Sequence, residues 1–248
     1  EIGNNDTYKI GLNWRPIDSL LFRVTQQEAT RAPNIGELFS PQTRGLDNAV
    51  IDPCSVENVA NIDAALTQLC IGTGQLAAQV GVTQDIVSGQ VNTFVGTDPN
   101  NRPTPETANT FTAGLVWTPE LSSGSSFSLT VDYYDIDIED YISEFSAQQI
   151  FDQCYGAGVQ FACDQIVRTN GTLSNPTSGI TTLTRNLDFL RAEGIEASYN
   201  YAVDLPKSYG RLSLNGTLNH YLRNEQRAGS TLPTINCKGR FGTTCDPI

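Results

Sequence analysis

Six stretches of this chain alternate apolar and polar side chains, and the connections between them are alternately short and long. Within residues 210–222, Leu212, Leu214, Leu218 and Leu222 fall on one parity, while Arg211, Ser213, Asn215, Thr217 and Asn219 fall on the other. An extended chain sends successive side chains to opposite faces, so this is a strand with one apolar and one polar face. The same pattern predicts strands at about 6–15, 19–27, 107–117, 126–142, 181–203 and 210–222. In the first, Tyr8, Ile10, Leu12 and Trp14 oppose Lys9, Gly11, Asn13 and Arg15. In the fourth the parity changes character: Phe127, Leu129, Val131 and Tyr133 are followed on their own face by Asp135, Asp137 and Glu139, while Ile136 and Ile138 take the other. Either a β-bulge or emergence from an apolar medium produces such a swap.

The long connections, about 30–105, 143–178 and 223–248, hold all six cysteines. These fall in close pairs, Cys54 and Cys70, Cys154 and Cys163, Cys237 and Cys245, none with the C-x-x-C spacing of a metal or redox site. An even number in polar loops predicts three loop-closing disulfides and an oxidising compartment; local pairing is one of 15 possible connectivities. Between Cys54 and Cys70, residues 56–69 carry Val59, Ile62, Leu66 and Leu69 at helical spacing. A connection as long as the first is unusual without structure of its own, and such loops tend to be functional.

Alternation alone fits two architectures. A soluble sandwich hides one face of each sheet against the other. A transmembrane β-barrel turns its apolar face to lipid and has short turns at one end and long loops at the other. The asymmetry of the connections favours the barrel. So do Trp14, Trp117, Phe127, Tyr201 and Tyr209, which gather near the short turns, where a membrane interface suits an aromatic body with a polar tip. The fold expected is therefore all-β: an antiparallel transmembrane meander of about six strands, part of a barrel, with disulfide-bearing extracellular loops. A formal charge of −12 without any basic run excludes a phosphate-backbone partner, so no nucleic acid is expected. No apolar run reaches the ~18 residues of a membrane helix, which says nothing about strands. Without methionine or a leader sequence, the chain reads as part of a longer precursor.

Four segments then resemble a known family. Residues 22–39, FRVTQQEATRAPNIGELF, resemble the RAPN-x-x-ELF segment of bacterial outer-membrane TonB-dependent receptors. Residues 98–115, DPNNRPTPETANTFTAGL, are similar to their strand that starts on a Pro-Glu pair. Residues 131–142, VDYYDIDIEDYI, and 193–201, EGIEASYNY, resemble strands that come later, in the family's order. The resemblance implies a barrel of about 22 strands with a plugged lumen. It also implies import of a scarce nutrient such as an iron chelate, oligosaccharide or peptide. The energy is TonB-supplied and reaches the receptor through an amino-terminal plug that these segments do not include. Outer-membrane lipid would surround the wall, and no cofactor, metal or enzymatic step is implied.

On this reading Lys9, Asn13, Arg15, Arg23, Gln27, Asp132, Glu196, Asn200, Asn215 and Asn219 face the lumen. Ligand would meet the loops, with Arg44, Asp52, Tyr155, Phe161 and Arg168 as candidate contacts, because aromatic and charged groups together suit a sugar or a chelate. Arg31 and Glu106, at the two feet of the first loop, are expected to pair across neighbouring strands. Two other function classes remain: a secreted β-sandwich binding module or adhesin, and a β-rich hydrolase using the acidic cluster at 135–140. Against the second, Asp135, Asp137 and Glu139 share one strand face, whereas glycosidase carboxylates must flank a sugar. His220, the only histidine, has no G-x-S-x-G nucleophile elbow to serve.

Overall fold

The computed structural model describes residues 6–48, 51–86, 89–122, 124–230, 232–240 and Cys245. Strands β1 (Tyr8–Ile17) and β2 (Leu20–Arg31) form a first hairpin. The first long connection contains α1 (Ile35–Phe39), β3 (Thr43–Asn48), a 3-10 turn at Val56–Asn61, α2 (Ala64–Gly72) and β4 (Gln90–Thr97). A second hairpin joins β5 (Glu106–Trp117) to β6 (Ser125–Glu139). The second connection contains β7 (Ile142–Ser143), α3 (Ala147–Phe151) running into a π-turn at Asp152–Gly156, α4 (Gln160–Cys163), β8 (Ile166–Val167) and β9 (Gly179–Asn186). A third hairpin pairs β10 (Phe189–Asp204) with β11 (Arg211–Arg227), and β12 (Ile235–Asn236) pairs with the end of β11.

Two sheets result. The wall has seven strands in the order β1-β2-β5-β6-β10-β11-β12, every neighbour antiparallel. Its register aligns the apolar parities into continuous rows. One row is Leu12, Val24, Ala113, Tyr133, Ile195 and His220; the next is Trp14, Phe22, Leu115, Val131, Ala197 and Leu218. Among the described residues nothing covers this face: Leu12 and Leu218 are each 67 % exposed and Trp14 60 %. A Leu or Phe left in water forgoes about 1.5–3 kcal/mol relative to burial, so a row of them calls for a hydrocarbon surround. On β10 the apolar parity covers residues 195–203, close to the roughly 9–11 residues of a tilted spanning strand. The second sheet does not pack on this face, which is the packing a sandwich requires. No helix among the described residues is long and apolar enough to cross a membrane, which leaves crossing by strands open.

The rows also settle the parity swap. β6 pairs with β10 without interruption from Ser125–Val203 to Glu139–Phe189, so it carries no bulge. Asp135, Asp137 and Glu139 simply continue the outward face beyond Tyr133, and the wall leaves its apolar zone there. The irregularity lies in β11 instead, where Glu193 faces Arg223 but Gly194 faces Tyr221, leaving Leu222 as the extra residue. This bulge turns Arg223, Glu225 and Arg227 outward and carries the strand on to Arg227, past the expected end at 222. Opposite charges then meet across strands: Asp137 with Arg191 at 2.8 Å and Glu193 with Arg223 at 2.6 Å, with Arg227 also held by Asp188.

On the polar face, Arg23 grips Asp132 through two hydrogen bonds of 3.0 and 2.6 Å. Those two residues sit on strands either side of β5, where Gly114 lies between them. A Cβ on Gly114 would stand 1.9 Å from Asp132 Oδ1, so only glycine lets the pair close over β5. Tyr134 likewise crosses Gly194 to donate to Asn219 at 3.1 Å.

The predicted strand 181–203 is two strands. At Leu187 the chain is pinned by its N–H donating to Tyr141 O, and Leu187 itself is buried. β9, before that point, belongs to a second sheet of order β3-β4-β9-β7 with β8 also on β9. β4 and β9 run parallel, so this sheet knits the first long loop to the second. The helix expected at 56–69 is broken in two because Asp63 accepts from Leu66 N–H and caps α2 afresh.

Candidate functional site

The two loops share one apolar core. Ile86 and Val91 of the first loop pack with Phe145, Ile150, Phe151, Ala162, Ile166, Leu173 and Ile180 of the second. Cys154 and Cys163 join this core, so the disulfide between them staples the π-turn to α4. Cys54–Cys70 closes the segment holding the 3-10 turn and α2, and Cys237–Cys245 closes a short segment after β12.

Deep between the loops lies a charged latch. Arg168 donates to both oxygens of Asp52 at 2.7 Å each and to Tyr155 Oη at 3.0 Å. Asp85 stands 3.5 Å away and accepts from Leu173 N–H, Ser174 N–H and Ser174 Oγ. The side chains of Arg168 and Asp52 are 0 % exposed. Burial, the largest single influence, would lower the Arg168 pKa, but the hydrogen bonds and charges of Asp52 and Tyr155 together outweigh it and raise it, keeping the guanidinium charged. Burial raises the Tyr155 phenol despite the neighbouring Arg168, so it stays a neutral donor; Thr73 Oγ1 lies 2.9 Å from it.

At the base of the loops Arg31 Nε donates to Glu106 Oε1 at 2.6 Å, and Arg31 also binds Glu37 of α1 at 3.1 Å. Glu106 Oε2 accepts the Ile142 N–H as well, so one carboxylate ties β2, β5 and the start of β7 together.

The candidate contacts thus divide. Asp52, Tyr155 and Arg168 converge, but in the interior, where Asp52 and Arg168 present nothing to solvent. Arg44 is exposed on β3 over the ring of Phe94, and Phe161 is exposed on α4 beside Arg185. Two cavities open on the loop layer: about 450 Å³ lined by Leu46, Ile86, Val91, Asn92 and Leu173, and about 350 Å³ lined by Gln149, Asp152, Ala228, Leu232 and Ile235. Among the described residues no cluster of His, Cys, Asp or Glu is placed to hold a metal ion. In the acidic stretch 135–140 the carboxylate of Asp137 is held by Arg191, and on the facing strand that of Glu193 is held by Arg223.

The family model described as TonB dependent receptor-like, beta-barrel matches residues 2–236. The chain belongs to this family. Its wall is a sector of the TonB-dependent receptor barrel, with three disulfides in the loops. No curated protein sequence matches it. Among solved structures it is similar to a ferric enterobactin receptor variant from Pseudomonas aeruginosa in complex with enterobactin, at 12% identity and a TM-score of 0.47, covering 91% of this chain and 24% of that one. It is similar also to a hemophore receptor of Serratia marcescens in complex with its hemophore and heme: 15% identity, TM-score 0.44, 89% of this chain and 22% of that one. The siderophore receptor PirA of Acinetobacter baumannii gives 11% identity and a TM-score of 0.44, covering 90% of this chain and 24% of that chain. The chain spans less than a quarter of the length of these receptors.

Sequence reasoning did not single out Arg102, which is exposed over the Phe39 ring, or Arg185, whose largely buried side chain lies between Phe161 and Phe145. Arg102 is a lone cation in a polar loop, and Arg185 lies within the stretch 181–203 that reads as a strand.

Proposed function

We propose that this chain forms part of an outer-membrane receptor that binds a scarce nutrient in its extracellular loops and imports it with TonB-supplied energy. What carries the reading is the uncovered apolar face of the wall joined, at one end only, to a disulfide-clamped layer of folded loops. The family match supports it independently. In this reading the wall sits in the bacterial outer membrane, the polar face with the Arg23–Asp132 pair lines the lumen, and the plug and the TonB contact lie in parts of the receptor outside this chain. Arg44 and Phe161 are the exposed candidates for ligand contact. Asp52, Tyr155 and Arg168 support them from beneath, and Arg31 with Glu106 secures the loop base. The test is made on the full receptor in cells. It should fractionate with the outer membrane, migrate faster unboiled than boiled in detergent gels, and support nutrient uptake that stops when TonB is removed. Recovery as a soluble monomer with a single cooperative melt would refute the reading and favour a secreted binding module.

A further inference from the structure

The Cys54–Cys70 disulfide meets the buried latch at both of its ends. Asp52, two residues before Cys54, accepts the Cys54 N–H at 3.0 Å through Oδ1, the oxygen that also takes a 2.7 Å bond from Arg168. Thr73, three residues after Cys70, donates its hydroxyl to Cys70 O at 3.0 Å. A hydroxyl has one proton, so across the 2.9 Å contact Tyr155 Oη is the donor and Thr73 Oγ1 the acceptor; Arg168 in turn donates to Tyr155 at 3.0 Å. Asp52 and Thr73 of the first loop therefore grip the Arg168–Tyr155 pair of the second from two sides, and the S–S bond sets the distance between the two grips. The turn that follows adds to the docking. Gly81 N–H donates to Cys54 O at 3.0 Å, and Gln79 Nε2 reaches across to Asn170 O at 3.3 Å.

Burial makes this docking nearly all-or-none. Cys54, Cys70 and Asp52 are fully buried and Thr73 almost so. Without the S–S bond, residues 52 and 73 are the ends of an open segment carrying the 3-10 turn and α2. Bringing both to one Arg–Tyr pair then costs loop-closure entropy that the disulfide otherwise removes. A half-docked arrangement offers no resting place, because Asp52 or Arg168 would be a buried charge without its partner. Once docking is complete, both sulfurs lie out of reach of a thiol.

We propose that Cys54–Cys70 is a redox lock on the loop layer: its oxidation docks the first long loop onto the second, and the latch so formed seals the bond against reduction. The oxidant is a second disulfide. One cysteine thiolate attacks a sulfur of that disulfide and expels a thiolate; the other cysteine thiolate attacks the mixed disulfide, closes Cys54–Cys70 and expels the second. Two electrons pass to the oxidant, and the two cysteine protons end on its thiols. The lock holds whatever ligand the loops meet and does not depend on the receptor reading above.

The test uses the full-length protein in detergent. In the double variant Cys54→Ser, Cys70→Ser, peptides at 150–157 and 165–178, on the other loop, should exchange their amide hydrogens about a hundredfold faster, the worth of a bond closing a loop near 15 residues. Peptides of β6 and β10 should keep their protection. The control pair Cys237→Ser, Cys245→Ser should leave 150–178 unchanged. Faster exchange confined to 52–75 would overturn the proposal, since a disulfide that only staples its own segment gives that result. A second measurement keeps every cysteine and so stays decisive even where the serine variant fails to assemble. The protein is equilibrated with oxidised and reduced dithiothreitol, alkylated, and its thiols counted by mass spectrometry. Coupling is reciprocal, so Arg168→Met should shift Cys54–Cys70 about tenfold or more towards the thiols, with Cys237–Cys245 of the same molecules as reference. An unchanged ratio would overturn the proposal as well.

Discussion

Replacing Arg168 by methionine should open the loop layer without opening the wall. The guanidinium is wholly buried and neutralises Asp52 through two 2.7 Å bonds, with Asp85 a further 3.5 Å contact. Methionine fills much of the space but strands two buried carboxylates. Breaking a buried pair by deleting one partner costs about 3–5 kcal/mol. At 1.4 kcal/mol per factor of ten, local opening becomes roughly 10²–10⁴ times more frequent. Neither Arg168 nor Asp52 lies in a wall strand, so the cost falls on one cooperative unit, the two loops with their common core. Hydrogen exchange on the full receptor in detergent reads this directly. Peptides covering 52–75 and 160–180 should exchange faster by that factor, while peptides of β5, β6 and β10 keep their protection. Adding Asp52→Asn removes one stranded charge and should recover part of the loss. Unchanged exchange in the loops, or equal loss of protection in wall and loops, would refute the reasoning.

Gly114→Ala should lower the urea midpoint of the whole receptor, because the new Cβ meets Asp132 Oδ1 at 1.9 Å and pushes the Arg23–Asp132 pair apart; overpacking of this kind costs about 1–3 kcal/mol, and an unchanged midpoint would count against the bridge. Removing the Cys54–Cys70 disulfide as the double alanine variant should cost the loops about 3 kcal/mol, the closure entropy of a loop near 15 residues, seen as proteolytic cleavage near α2 while the wall resists. Burial pushes the Tyr141 phenol up to about 12, above its unfolded value of roughly 10. The neutral form is therefore favoured by folding, and its stabilisation is complete below about pH 10 and lost as pH rises through 12. Loop protection should accordingly fall over that window, and Tyr141→Phe should remove the fall; a variant that melts over the same window would disprove the assignment.

The wall was legible because its signal is local. Period-two alternation in residues such as Leu212, Leu214 and Leu218 needs no knowledge of partners, and the turn lengths order the strands. Where partners decide, the sequence was mute. Asp135 and Asp137 fit a bulge as well as an emergence from lipid until the unbroken β6–β10 register removed the first. β9 and β10 read as one strand because the break at Leu187 is made by a hydrogen bond to distant Tyr141. The loop sheet was invisible because β4 finds its parallel partner β9 far along the chain. Asp52 and Arg168 looked like ligand contacts because loop charges are usually exposed; only their mutual burial, a tertiary property, marks them as a latch.

The most direct measurement places single spin labels along β11 of the full receptor in bilayers, at 212, 214 and 218 on one parity and 213, 215 and 217 on the other. Labels on the leucine parity should be relaxed by oxygen dissolved in the acyl chains, and those on the serine–asparagine–threonine parity by a water-soluble nickel chelate. The same relaxation on both parities, or leucine-parity labels shielded from both reagents as inside a protein core, would contradict the two-faced wall.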